Sequence, residues 1–253
     1  MKLATAITAA VFVLGISSAA SAQTEITLLS PNPIKETMDH LVANFEAKTG
    51  DHVTITYGSG VGTRETVAKG GAKDVTLLFA PFDDAIRTGN VDRGSETVVA
   101  RLRLAIAVKK GAPKPDISSL AAVKATLRNA KSIASVDPKQ GSVGGAVLLA
   151  LDKMGMTNEV QPKIKWMPGG GDVQRAVASG EDEIAFGPYL SDMRNPGLDI
   201  VGAVPPAAAT PVDITGFLST SVKNRAAAKA LIDYLRSADA APEWRKAKAF
   251  PVQ

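Results

Sequence analysis

Apolar residues along this chain recur in two alternating rhythms. EITLLS (25–30) reads as a strand. Ile34, Met38, Leu41, Val42 and Phe45 then fall three or four residues apart, the period of one helix face. Gly50 follows as a stop signal. HVTITY resumes the strand rhythm, with Val53, Ile55 and Tyr57 on one face. A short helix, the strand DVTLLFA and a short helix in PFDDAIRTG come next, and TVVARLRLAIAVKKG reads as a longer strand pair. The pattern then restarts with helix SLAAVKATLRNA, strand SIASV, loop DPKQGSVGG and helix AVLLALDKMG. Strand KIKWM, loop PGGG, helix DVQRAVASG and strand EIAFG complete it.

Repeated βα units of this length predict an α/β fold with largely parallel strands. The βαβ pattern occurs on both sides of about residue 100, which suits two small lobes better than one large sheet. VGAVPPAAATPVD reads as a return crossover, and the final stretch, VKNRAAAKALIDYLRSADAAPEWRKAKAF, as two helices packing back on the first lobe. The expected division is 23–98 plus 205–253 for lobe 1 and 99–204 for lobe 2.

The N-terminus assigns residues 1–22 to a cleavable secretory signal. Lys2 precedes the apolar run LATAITAAVFVLGI and the small-residue stretch SSAASAQ, with cleavage expected after Ala22. That run is too short to span a bilayer comfortably, and no other is longer, so a periplasmic protein is expected. Cysteine is absent, which excludes disulfides, thiolate catalysis and zinc–cysteine sites. Removing Lys2 leaves 28 basic against 25 acidic residues, scattered without a basic block. Nucleic acid is therefore not an expected partner, whereas a small anionic ligand is.

Glycine loops locate that ligand. Gly58 and Gly60 match the first two glycines of a dinucleotide fingerprint, but Thr63 stands at the third, and no Gly-Lys-Ser/Thr occurs for a P-loop. The alternatives are a tight turn or an anion site built from unpaired N–H groups at a helix N-terminus. Ser59 and Thr63 would add hydroxyl donors. Similar features recur after other strands: Ser30; Ser142, Val143 and Gly144; Gly171, Asp172 and Val173; and Tyr189. Open α/β sheets bind ligands at the carboxyl ends of their strands, so these loops suit a ligand clamped between lobes.

Enzyme signatures are sparse: there is neither G-x-S-x-G nor HExxH. His40 and His52 read as surface residues, Asp83-Asp84 as a helix start, and Glu181-Asp182-Glu183 as a solvated turn. No metal site and no cofactor are expected. Arg64 falls early in a helix, where a cation opposes the dipole. It fits either a salt bridge, for instance to the other lobe, or a forked grip on a ligand oxyanion.

In this order the loops resemble the periplasmic molybdate-binding family, type II solute-binding proteins of ABC importers. The resemblance rests on ITLLSPNPIKETMDHLVANFEAKTG, YGSGVGTRETVAKGGAKDV, SIASVDPKQGSVGGAVLLALDKMG, GGGDVQRAVASGEDEIAFGPYLSD and AKALIDYLRSADAAPEW. It implies two α/β lobes, two hinge crossovers and an interlobe cleft. It also implies a small oxyanion such as molybdate or tungstate as ligand, an ABC permease as partner, and a monomer. Family sites carry over to Ser30, Ser59 or Gly60, Val143, Val173 and Tyr189, with Ser142 and Arg64 beside them. The family's small residues before the first serine are replaced by Leu28-Leu29, and Pro31 and Asn32 follow it, which leaves room for a larger pocket. The related aconitate isomerase branch implies the alternative, a binding protein or isomerase for a small polycarboxylate. In that case Tyr189, Asp172 and Arg64 are the candidate catalytic residues.

Overall fold

The computed structural model describes residues 23–139, 142–188 and 195–252, with the side chain of Ser142 outside that set. The expected signal segment and Tyr189 also lie outside the described residues.

β1 (Glu25–Pro31) passes through a 3-10 turn into α1 (Lys35–Thr49). α1 buries Met38, Leu41, Val42 and Phe45, as their spacing predicts. It ends where Gly50 adopts φ 79°, a conformation that a side chain would oppose. β2 (His52–Gly58), α2 (Gly60–Ala68), β3 (Val75–Phe79), α3 (Asp83–Ile86) and β4 (Val91–Leu102) follow. β5 (Leu104–Lys109), α4 (Leu120–Asn129), β6 (Ile133–Val136), α5 (Ser142–Lys153), α6 (Thr157–Val160) and β7 (Ile164–Met167) lead into the second half. α7 (Gly170–Ser179), β8 (Ile184–Pro188), β9 (Leu198–Ala203) and β10 (Val212–Ser219) come next. α8 (Arg225–Leu235), α9 (Ala241–Lys246) and the short β11 (Phe250–Pro251) close the chain.

Two sheets organise these elements. One has the order β11-β4-β10-β3-β1-β2 and the other β7-β6-β8-β5-β9. β1 sits between β2 and β3, and β6 between β7 and β8, parallel to both neighbours in each case. The unit β1-α1-β2-α2-β3 is thus repeated as β6-α5-β7-α7-β8, with α6 inserted. The chain crosses between sheets at Arg103 and again after β9, giving the two-lobed architecture with two crossovers. α8 and α9 return to the first sheet, as expected. There Trp244 is buried and its Nε1 donates to the Leu235 carbonyl at 2.7 Å.

Four features depart from the sequence pattern. β4 and β5 are consecutive but unpaired: β4 bonds to β10 and β11, and β5 to β8 and β9. Only Arg103 separates them, which is too little chain for a hairpin. The sheets are mixed rather than largely parallel, because strands that enter from a crossover run antiparallel. β10, a central strand, was hidden behind the proline-rich crossover, and β9 takes up the first residues assigned to that crossover. Finally, Asp182 is fully buried rather than solvated, with Lys165 Nζ 3.0 Å from its carboxylate.

Asp74, just before β3, supports the first sheet. Burial pushes its carboxyl up, but bonds from Thr27 Oγ1 at 2.7 Å, Thr27 N at 2.9 Å and Lys223 N outweigh this and hold it below the usual carboxylate range. A group depressed in the folded state adds stability above its unfolded pKa and loses it as pH falls through the folded value. Asp74→Asn should therefore lower the urea midpoint at neutral pH and flatten its decline below about pH 4.

Candidate functional site

The loops named by the sequence gather at the carboxyl ends of the parallel strands in both sheets. In the first sheet Ser30 lies opposite Tyr57, and Pro31 opposite Gly58, so the first two loops start side by side. Ser30 is fully buried, and its Oγ has no hydrogen-bond partner among the described residues. Ser59 caps α2: its Oγ accepts from Gly62 N at 2.8 Å. That bond uses an acceptor lone pair and leaves the hydroxyl proton free to donate. Gly60 is the first residue of α2 and is buried there.

Thr63 does not supply the donor expected of it. Its side chain is buried and Oγ1 donates to the Gly60 carbonyl at 3.0 Å, within the helix's own first turn. Ser59→Ala should cost about 1 kcal/mol of stability through loss of the cap, readable as a lower urea midpoint.

Arg64 makes no ion pair among the described residues. Its Nη1 donates to the Pro81 carbonyl at 2.7 Å, which ties α2 to the loop after β3. Its Nε is buried without a partner among the described residues. A guanidinium offers five donors in a planar fork, so this cation retains capacity for a carboxylate or other oxyanion.

A second group beside these loops escaped the sequence reading. Tyr57 Oη donates to Asp39 Oδ1 at 2.6 Å, Lys35 Nζ lies 2.8 Å from Asp39 Oδ2, and Lys35 Nζ sits 4.4 Å from the Tyr57 ring centroid. Burial and the Asp39 carboxylate push the Tyr57 phenol up. Burial raises the Asp39 carboxyl, but bonds from Lys35 and Tyr57 prevail and hold it low. The signal was present: Lys35 is a cation at the first position of α1, where the dipole disfavours it.

From the second sheet, α5 starts at Ser142 and α7 at Gly170, so Ser142, Val143, Gly144, Gly171, Asp172 and Val173 lie in first helical turns rather than ahead of them. Gly144 explains the α5 start. A Cβ there would lie 2.1 Å from the Val136 carbonyl oxygen, so only glycine lets the helix abut the end of β6. Val143 is buried, and α5 and α2 approach each other across the cleft. Val173 is buried and its N–H donates to the Gly169 carbonyl at 3.2 Å. The Asp172 carboxylate pairs with Arg175 one turn on.

Among the described residues, no group of acidic or histidine side chains is arranged to hold a metal ion. His40 and His52 are exposed, beside Glu243 and Glu46 respectively. A pocket of about 520 Å³, lined by Val108, Lys114, Asp116, Asn129 and Glu183, opens at the other end of the second sheet, where β8 begins.

The family model for bacterial extracellular solute-binding proteins matches residues 26–247. An aconitate isomerase from Pseudomonas sp is 31% identical over 241 residues, spanning 92% of this chain and 90% of that protein. Among solved structures, the Mycobacterium tuberculosis sulfate-binding protein superposes with a TM-score of 0.74 at 18% identity, covering 91% of this chain and 88% of that one. The Azotobacter vinelandii periplasmic molybdate-binding protein does so at 0.68 and 18%, covering 90% and 100%. At those identities the structural likeness is one of fold. The strand-end loops, the two sheets and the match across nearly the whole described chain agree, and the protein belongs to the bacterial extracellular solute-binding proteins.

Proposed function

We propose that this protein is a periplasmic receptor for a small polycarboxylate, held in the cleft between the lobes. The observation that carries this reading is Arg64, a cation on α2 whose Nε is buried without a partner among the described residues. A molybdate-like oxyanion, the ligand favoured by the loop sequence, needs only hydroxyls and helix-terminal N–H groups. A forked cation is better matched to a carboxylate. Ser30, Ser59 and the first turns of α2 and α5 supply neutral donors, with Gly60, Ser142 and Val143 contributing backbone N–H groups. The mobile units are the first sheet with its helices and the second sheet with its helices, closing about the crossovers at Arg103 and after β9. The closed form is then offered to an ABC permease.

A thermal-shift panel of citrate, cis- and trans-aconitate, molybdate, tungstate, sulfate and phosphate tests this. A ligand at about 1,000 times its Kd adds roughly 4 kcal/mol of apparent stability, a rise on the order of 10 °C for a chain of this size. The carboxylates should give that shift. A shift with molybdate and tungstate alone would restore the oxyanion reading.

The identity shared with the Pseudomonas aconitate isomerase favours a second reading, in which the bound ligand is also isomerised. An allylic shift takes one proton from the substrate methylene and returns one to the former alkene carbon, so it balances without a cofactor. It requires a base at that carbon. Asp172, which pairs with the exposed Arg175 side chain, and Tyr189 are the candidates for it. Proton NMR of cis-aconitate incubated with the protein in deuterium oxide decides this: conversion with deuterium incorporation supports catalysis, and an unchanged spectrum leaves a receptor.

A further inference from the structure

Two buried hydroxyls occupy equivalent places in the repeated units. Ser30 is the penultimate residue of β1, and Ser135 the penultimate residue of β6. Each strand is flanked by two parallel neighbours and followed by the helix that covers it. Ser30 shares its sheet face with Ile26 and Leu28, and Ser135 shares its own with Ile133, all members of the main core cluster that includes α1 and α5 side chains. Ser135 is 1% exposed, and its Oγ, like that of Ser30, has no hydrogen-bond partner among the described residues.

A buried hydroxyl without a partner destabilises the protein that carries it. Alanine would fill either position without that cost. Ser135 lies where β6 opens into the loop to α5, the helix that approaches α2 across the cleft. Gly144 clamps the start of α5 against the carbonyl of Val136, the residue after Ser135.

We infer that Ser135 is the second lobe's counterpart of Ser30, donating its hydroxyl proton to an oxygen of the ligand in the closed cleft. This rests on the polycarboxylate reading of the same cleft. One strand-end serine from each lobe then grips the anion, and both bonds exist together only when the lobes close.

Calorimetric titration of the mature protein with trans-aconitate, citrate and molybdate tests this in the wild type, Ser30→Ala, Ser135→Ala and Thr157→Val. Thr157 Oγ1 is likewise unpartnered but belongs to α6, beyond the far end of α5, and serves as the control. Hydrogen bonds to charged groups are strong enough that Ser135→Ala should raise the Kd of the carboxylate about ten-fold or more. Ser30→Ala should do the same, and Thr157→Val should leave it unchanged. Ser135→Ala within about two-fold of wild type, with Ser30→Ala weakened, would overturn the inference and make Ser135 a core residue. If the wild type binds molybdate alone and Ser135→Ala loses it, the carboxylate reading fails while the role of Ser135 stands. A wild type that binds nothing in the panel overturns both.

Discussion

Arg64→Ala should weaken polycarboxylate binding by roughly 2–5 kcal/mol, which is about thirty-fold to several thousand-fold in Kd. The size of the effect follows from what remains after truncation: a ligand carboxylate enclosed in the cleft without its cation. Stability should fall far less, because the one bond Arg64 makes within the described chain is to the Pro81 carbonyl, worth about 1 kcal/mol. Arg64→Lys should recover only part of the affinity, since an ammonium keeps the charge but not the planar fork. Titration calorimetry separates the cases. An Arg64→Ala protein that binds carboxylates as tightly as the wild type would remove Arg64 from the site.

Lys165→Ala should produce the largest loss of stability. Lys165 lies on β7 with its side chain 47% exposed, and its Nζ is 3.0 Å from a carboxylate of Asp182 that is 0% exposed. Asp182 is fixed in place by its N–H, which donates to the Ala176 carbonyl. Removing the lysine leaves a buried charge unpaired, which costs about 3–5 kcal/mol in enclosed pairs. Because water reaches this ammonium, the lower figure applies, a fall in Tm of about 10 °C. The double variant Lys165→Met with Asp182→Leu should recover most of it, because the cost lies in the orphaned carboxylate rather than in a strong attraction. Equal midpoints for Lys165→Ala and wild type in urea would show that Asp182 is solvated after all.

Much of the fold is legible in particular residues. Met38, Leu41, Val42 and Phe45 recur at helical spacing and are buried in α1. Gly50 and Gly180 both end helices in left-handed conformations. What escaped has a common cause, that local pattern does not report partners. RLRLAIAV alternates in the same way whether its halves pair with each other or with different sheets. VDITGFLS carries an ordinary strand pattern but follows a proline-rich crossover, so its central place between β3 and β4 was not apparent.

The site was legible in part for the same reason. Ser59 was read as a hydroxyl donor beside a helix start, and the structure adds that it caps α2, accepting from the amide three residues on. Thr63 looked like a ligand donor because the sequence shows a hydroxyl but not that the Gly60 carbonyl takes it. Asp182 looked solvated because its neighbours Glu181 and Glu183 are acidic, and only the fold brings Lys165 to it. Arg64 was read as a cation in the first turn of a helix, but it is the central residue of the nine-residue α2, and its Nε, unpartnered among the described residues, is a fact of packing that no motif encodes.

The most direct measurement is a calorimetric titration of trans-aconitate and citrate, with molybdate as competitor, into the protein and its Arg64→Ala variant. A carboxylate bound one to one, insensitive to molybdate and lost with Arg64, is the predicted result. Tight molybdate binding that survives Arg64→Ala, with no heat from either carboxylate, would contradict it.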